Sequence, residues 1–128
     1  MKLQKILMAE DELDIQIVAR LALEAVGGFS VEICSSGSEA LEAAPRFVPD
    51  LILLDVMMPG MDGVTTLQAL RAMPQFAATP VVFMTAKVQP SEIALYKQAG
   101  ALDVICKPFD PMTLSQTVTE IWEQHAAR

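Results

Sequence analysis

Five short runs rich in Ile, Val and Leu recur along the chain, at Lys5–Ala9, Ser30–Cys34, Leu51–Leu54, Val81–Thr85 and Val104–Cys106, and each is followed by a longer stretch with helical spacing. No other feature restricts the fold as strongly. Strands joined by helix-length connections pair in parallel, because only a crossover of that length returns the chain to the same end of the sheet. Right-handed crossovers then place helices on both faces. The expected class is α/β, a doubly wound five-stranded parallel sheet, and 128 residues suit one such domain spanning 1–128 with no output domain in this chain.

Helix punctuation agrees with this parsing. Ser36, with Glu39 three residues on, predicts a capping box for the second helix, and Asp110-Pro111 places an N-cap and a proline at the start of the fifth. Gly27 and Gly28 are expected to close the first helix and Gly100 the fourth. Leu114, Val118 and Ile121 form one stripe of the last helix, with Trp122 at its border. Pro45 is expected to end or kink the second helix early, since it has no backbone donor.

Composition removes several function classes. The chain is 52% hydrophobic, yet no apolar run approaches the roughly 18 residues of a membrane span. The opening "MKLQKILMAED" lacks the long apolar segment and cleavage site of a secretory signal, so a cytoplasmic location is expected. A net charge of −7 argues against direct nucleic-acid binding. Cys34 and Cys106 stand alone in apolar stretches and read as small core residues, while the single histidine, His125, reads as a solvated surface residue near the C-terminus.

In an open parallel sheet, ligands bind beyond the carboxyl ends of the strands. The polar residues there are Glu10 and Asp11 after the first strand, Asp55 ending the third in "LILLDVMMPGMDG", Thr85 ending the fourth, and Lys107 just past the fifth. Each has an ordinary reading by itself: Asp11 as a helix cap, Asp55 as an exit to water, Thr85 as a good strand residue, Lys107 as the start of a loop. Their joint occurrence is harder to assign to chance. If the strands lie in the order 2-1-3-4-5, about 4.8 Å apart, Asp11 faces Asp55, with Thr85 one strand away and Lys107 reaching back. Clustered carboxylates repel one another and therefore hold a proton or bind a cation. Oxygen-only donors select a hard ion, and Mg²⁺ leaves coordination positions for phosphate oxygens. A hydroxyl at Thr85 and a point charge at Lys107 suit a transferring phosphoryl group, and Asp55 is placed to act as its nucleophile, forming an acyl phosphate.

With "MAEDE", "LILLDVMMPGMDG", "PVVFMTA" and "CKPF" in this order, the chain resembles the receiver domain of two-component response regulators over nearly its whole length. The strand order 2-1-3-4-5 of a flavodoxin-like (βα)5 fold comes with that resemblance. So do the roles it implies: Asp55 as phosphoacceptor, Asp11 as a direct Mg²⁺ ligand, Glu10 acting largely through water, and the Met57 backbone carbonyl as a further ligand. Thr85 and Lys107 would contact the phosphoryl oxygens, and Ala86 would leave room for them. The implied donor is a histidine kinase or a histidine phosphotransfer protein, and the implied output surface comprises the fourth helix, fifth strand and fifth helix. The activity would be limited to the domain's own phosphorylation and slow autodephosphorylation.

One position departs from the family pattern: Val104 stands where an aromatic switch residue is usual. A phosphatase of the haloacid dehalogenase type also forms an acyl phosphate, but usually needs a second acid two residues after the nucleophile, where this chain has Met57. A pseudo-receiver that serves only for docking would typically have lost one of the acids, the threonine or the lysine. A stand-alone receiver and one cut from a longer protein both fit the sequence.

Overall fold

The computed structural model describes residues 2–126. Its strands are β1 (Lys5–Ala9), β2 (Ser30–Cys34), β3 (Leu51–Asp55), β4 (Val81–Thr85) and β5 (Asp103–Cys106). They form one parallel sheet in the order β2-β1-β3-β4-β5. Between and after them lie the helices α1 (Leu13–Arg20), α2 (Gly37–Phe47), α3 (Gly63–Arg71), α4 (Pro90–Gln98) and α5 (Leu114–Ala126). The expected fold and strand order are those observed.

Side-chain alternation along the strands divides the core in two. Ile6, Met8, Leu51, Leu53, Val82, Met84 and Ile105 pack on one face against residues of α1 and α5, including Ala19, Leu114, Val118 and Trp122. Leu7, Ala9, Ile52, Leu54, Val81 and Phe83 pack on the other against α2 and α3, through Ala40, Ala43, Ala44, Leu67 and Leu70. The central strands β3 and β4 are buried along their whole length, as strands covered on both faces must be. By contrast, α4 buries none of its residues fully and is held partly by Tyr96, whose ring meets Phe83 edge-on at 5.5 Å.

Several local expectations change in the folded chain. After Arg20 the first helix continues as a π-helical segment, Leu21–Val26, that ends at Gly27. The Ser115 hydroxyl of α5 donates to the Ala22 carbonyl there, and a Cβ at Gly27 would strike that same Ser115 side chain. Pro45 neither ends nor visibly breaks α2, which runs two residues further to Phe47. It lies near the C-terminal end, where one missing donor leaves the next bond, Val48 N to Ala44 O at 2.8 Å, intact. The capping box is half formed: Ser36 Oγ accepts from Glu39 N at 3.1 Å, but the Glu39 carboxylate accepts from Ser35 N, one residue before the cap. Asp110 accepts from Met112 N at 2.9 Å, but in a turn over residues 111–113, so α5 starts at Leu114, later than the expected start at Pro111.

Cys34 is buried as expected, packed with Ala40, Ala43 and Ala44 of α2, whereas Cys106 is exposed, although both end edge strands, β2 and β5. His125 is half-buried, not fully solvated, with its ring 6.5 Å from Trp122 one turn earlier on α5. No helix among the described residues is long and apolar enough to cross a membrane.

The end of α2 contains a strained residue. Val48 has φ 53° and ψ 67°, a left-handed conformation that a β-branched side chain rarely adopts, and its side chain is exposed and gains little from packing. Val48→Gly is expected to stabilise the protein by about 0.5–1 kcal/mol, because relief of strain outweighs the entropy of the added glycine. Urea unfolding would measure this, and a loss of stability would contradict it.

Candidate functional site

The carboxyl ends of β1, β3, β4 and β5 converge, and the alternation that divides the core also selects which side chains meet. Glu10, Asp55 and Lys107 continue the series Ile6-Met8, Leu51-Leu53 and Ile105, all on the α1/α5 face. Thr85 continues Val81-Phe83 on the opposite face. The carboxylates of Glu10, Asp11 and Asp55 each place an oxygen within 4.8 Å of the others. Asp11 is half-buried and Glu10 and Asp55 are buried. The N-cap position of α1 is Glu12, not Asp11, and Glu12 makes no side-chain capping bond, so the ordinary capping role considered for Asp11 is not the one it has.

Lys107 enters this cluster from the far side. Its Nζ lies 2.9 Å from Glu10 Oε1 and 3.4 Å from Asp55 Oδ1. The second Glu10 oxygen accepts from Glu12 N at 3.0 Å, so both oxygens of that fully buried carboxylate have partners. Sequence reading placed Lys107 toward a phosphoryl group and Glu10 toward water, and it missed this direct ion pair. The only available signal was the shared strand parity of residues separated by 97 positions.

Burial is the main reason that the Asp55 pKa is raised to about 6, the Glu10 charge adds to it, and Lys107 opposes both. Burial would lower the Lys107 pKa, but its hydrogen bond to Glu10 and the charges of Asp55 and Glu10 override this and raise it. The site thus holds one carboxylate that is harder to ionise than usual beside an ammonium held in its charged form.

The other predicted residues surround this centre. Thr85 is buried at the end of β4, where its hydroxyl oxygen accepts from Lys87 N at 3.0 Å. Ala86 is exposed and lines an apolar groove with Val18, Lys107, Pro108 and Phe109. Met57 turns its side chain outward, while its backbone stays close, the N–H donating to Asp55 Oδ1 at 3.4 Å. Gly63, which the motif contained but to which no role was assigned, opens α3 directly against the Asp55–Val56 backbone and donates from its N–H to Val56 O at 3.0 Å.

The family model of the response regulator receiver domain matches residues 6–119. The chain belongs to the response regulator receiver family. This receiver is 36% identical over 111 residues to the DNA-binding response regulator MtrA of Mycobacterium tuberculosis, covering 87% of the chain and 47% of that protein. It is 37% identical over 118 residues to the alkaline phosphatase synthesis transcriptional regulatory protein PhoP of Bacillus subtilis, covering 92% of the chain and 48% of that protein. The receiver therefore spans about half the length of these curated relatives. Among solved structures, it superposes on the chemotaxis response regulator CheY4 of Vibrio cholerae with a TM-score of 0.87 at 32% identity, covering 94% of this chain and 99% of that one. Receivers are signalling domains and not classical enzymes.

Proposed function

We propose that this receiver takes a phosphoryl group onto Asp55 from the phosphohistidine of a histidine kinase or histidine phosphotransfer protein, in a reaction that requires Mg²⁺. The observation that carries the reading is the Asp55 carboxylate itself. It sits at the end of a rigid central strand, flanked by two further acids and by the Lys107 ammonium. A structural carboxylate would have no use for like-charged neighbours at this distance.

The acidic cluster fits a hard divalent cation, since it offers three convergent carboxylates and no nitrogen or sulfur donor. Glu10, Asp11, Asp55 and the Met57 carbonyl would hold it. When bound, it neutralises the carboxylate charge and draws in phosphoryl oxygens. The chain's own groups do the rest. An Asp55 oxygen attacks phosphorus, the P–N bond to the donor imidazole breaks, and the imidazole leaves with the bonding electrons. Lys107 and the Thr85 hydroxyl bind the equatorial oxygens as their charge grows, and exposed Ala86 leaves them room.

Output would pass through the surface of α4, β5 and α5 to a protein target. Val104, half-buried and in register with Phe83, stands on that face in place of a larger ring. The exposed thiol of Cys106 suits a reducing cytoplasmic setting.

Acetyl phosphate with Mg²⁺ is expected to add one phosphoryl group by intact-mass spectrometry, and chelation of the metal should prevent it. If the metal binds with a dissociation constant on the order of 1 mM, about 10 mM Mg²⁺ should stabilise the native state by roughly 1.4 kcal/mol. A melting curve indifferent to Mg²⁺, or no mass increase, would remove the reading.

A further inference from the structure

The loop that carries Glu10 and Asp11 is not held by a conventional helix cap. Glu12, the N-cap of α1, makes no side-chain capping bond. A residue one turn into the helix supplies the tie instead. Gln16 Nε2 donates to the Glu10 backbone carbonyl at 2.5 Å and to Ser35 Oγ at 3.2 Å. A carbonyl can only accept, so the atom facing Glu10 must be the amide nitrogen. Ser35 is itself anchored, its N–H donating to the Glu39 carboxylate of α2 at 2.9 Å, and Glu10 N donates to Cys34 O at 2.9 Å.

Gln16 is therefore the crossbar between α1, the end of β2 and the Glu10–Asp11 peptide. That peptide decides where two of the three convergent carboxylates point. Glu10 leaves β1 upward into the sheet face it shares with Asp55 and Lys107, and Asp11 follows one residue later. Rotation about this peptide would move both carboxylates at once. Groups that fix the ligating side chains from behind typically change cation affinity by about tenfold or more when removed.

We propose that Gln16 is a positioning residue for the acidic cluster: its amide clamps the Glu10–Asp11 peptide so that the Glu10 and Asp11 carboxylates stay convergent with Asp55. This rests on the reading of that cluster as a divalent-cation site, and the test separates the two. Gln16 is half-buried on the helix surface, so an unbranched replacement without donors, Gln16→Met, keeps the length and the helix. Ser35→Ala removes the exposed hydroxyl that steadies Gln16 and leaves every carboxylate in place.

Mg²⁺ alone is the probe, titrated into each protein and followed by amide NMR and calorimetry, with hydrogen exchange of the Asp11 and Glu12 amides measured in the absence of metal. Gln16→Met should weaken Mg²⁺ binding about tenfold and speed exchange at those amides, and Ser35→Ala should weaken binding about threefold. The double variant should be no weaker than Gln16→Met, because Ser35 acts through Gln16. Binding within twofold of the parent in both variants, or additive losses in the double variant, would overturn the positioning role. Absence of Mg²⁺ binding by the parent would overturn the cation-site reading itself and this inference with it.

Discussion

Asp55→Asn is expected to take up no phosphoryl group from acetyl phosphate and yet to be more stable than the parent near neutral pH in the absence of metal. The two effects share a cause. Asparagine keeps the shape of the side chain but offers no anionic oxygen to attack phosphorus. It also removes a charge that the fold disfavours. The folded Asp55 pKa of about 6 lies above its unfolded value, so the folded state holds the proton longer than the unfolded one. The stability linked to this group is full below the unfolded pKa of about 3.9 and is lost as pH rises through about 6. Asparagine has no such loss. The gain of the variant should therefore be absent near pH 4 and reach on the order of 2 kcal/mol above about pH 7. Lys107 keeps its 2.9 Å partner, Glu10, in either protein. Urea unfolding in chelator at the two pH values reads the stability, and intact mass reads the label. Labelling equal to the parent would eliminate Asp55 as acceptor, and parallel stability profiles would contradict the electrostatic account.

Gly63→Ala is expected to damage both the fold and the site, although it adds one methyl group outside the acidic cluster. A Cβ at this position would lie 2.6 Å from the Asp55 carbonyl oxygen and 2.9 Å from Val56 Cα. Both are backbone atoms and cannot rotate away. Either α3 must retreat, breaking the Gly63 N to Val56 O bond, or the end of β3 must move and carry Asp55 with it. Overpacking of this kind costs about 1–3 kcal/mol, and the better helix propensity of alanine returns less than about 1. A fall of several degrees in melting temperature should accompany a phosphorylation rate reduced about tenfold, since small misplacements of a nucleophile are expensive. An unchanged melting temperature and labelling rate would show that the approach of α3 to Asp55 is looser than these distances indicate.

Regular structure and candidate chemistry were both legible before folding, for the same reason. Strand residues alternate faces and helix residues recur every three to four positions, so the apolar runs marked β1 to β5 to within a residue, and the polar residues at their ends stood out against a buried background. Glu10, Asp11, Asp55, Thr85 and Lys107 were found because they interrupt a period. The strand order was not read this way. It came with the family resemblance, since local periodicity carries no information about which strands are neighbours.

What only the tertiary structure decided depends on contacts between distant positions. The Lys107–Glu10 pair, the Gln16 clamp and the demand for glycine at position 63 arise where separate segments approach, and no local pattern announces them. The π-helical turn before Gly27 coincides with a Ser115 hydroxyl arriving from α5. Cys106 is apolar in its sequence neighbourhood yet exposed, while Cys34, at the end of the other edge strand, is buried against α2, because burial at a strand end depends on which helix covers it. The sequence by itself determined the elements, their alternation and the residues able to do chemistry, because these follow from local period and residue type. The tertiary structure decided which of those residues touch and which carboxylate is pushed toward neutrality, because burial and charge proximity exist only once the strands lie side by side.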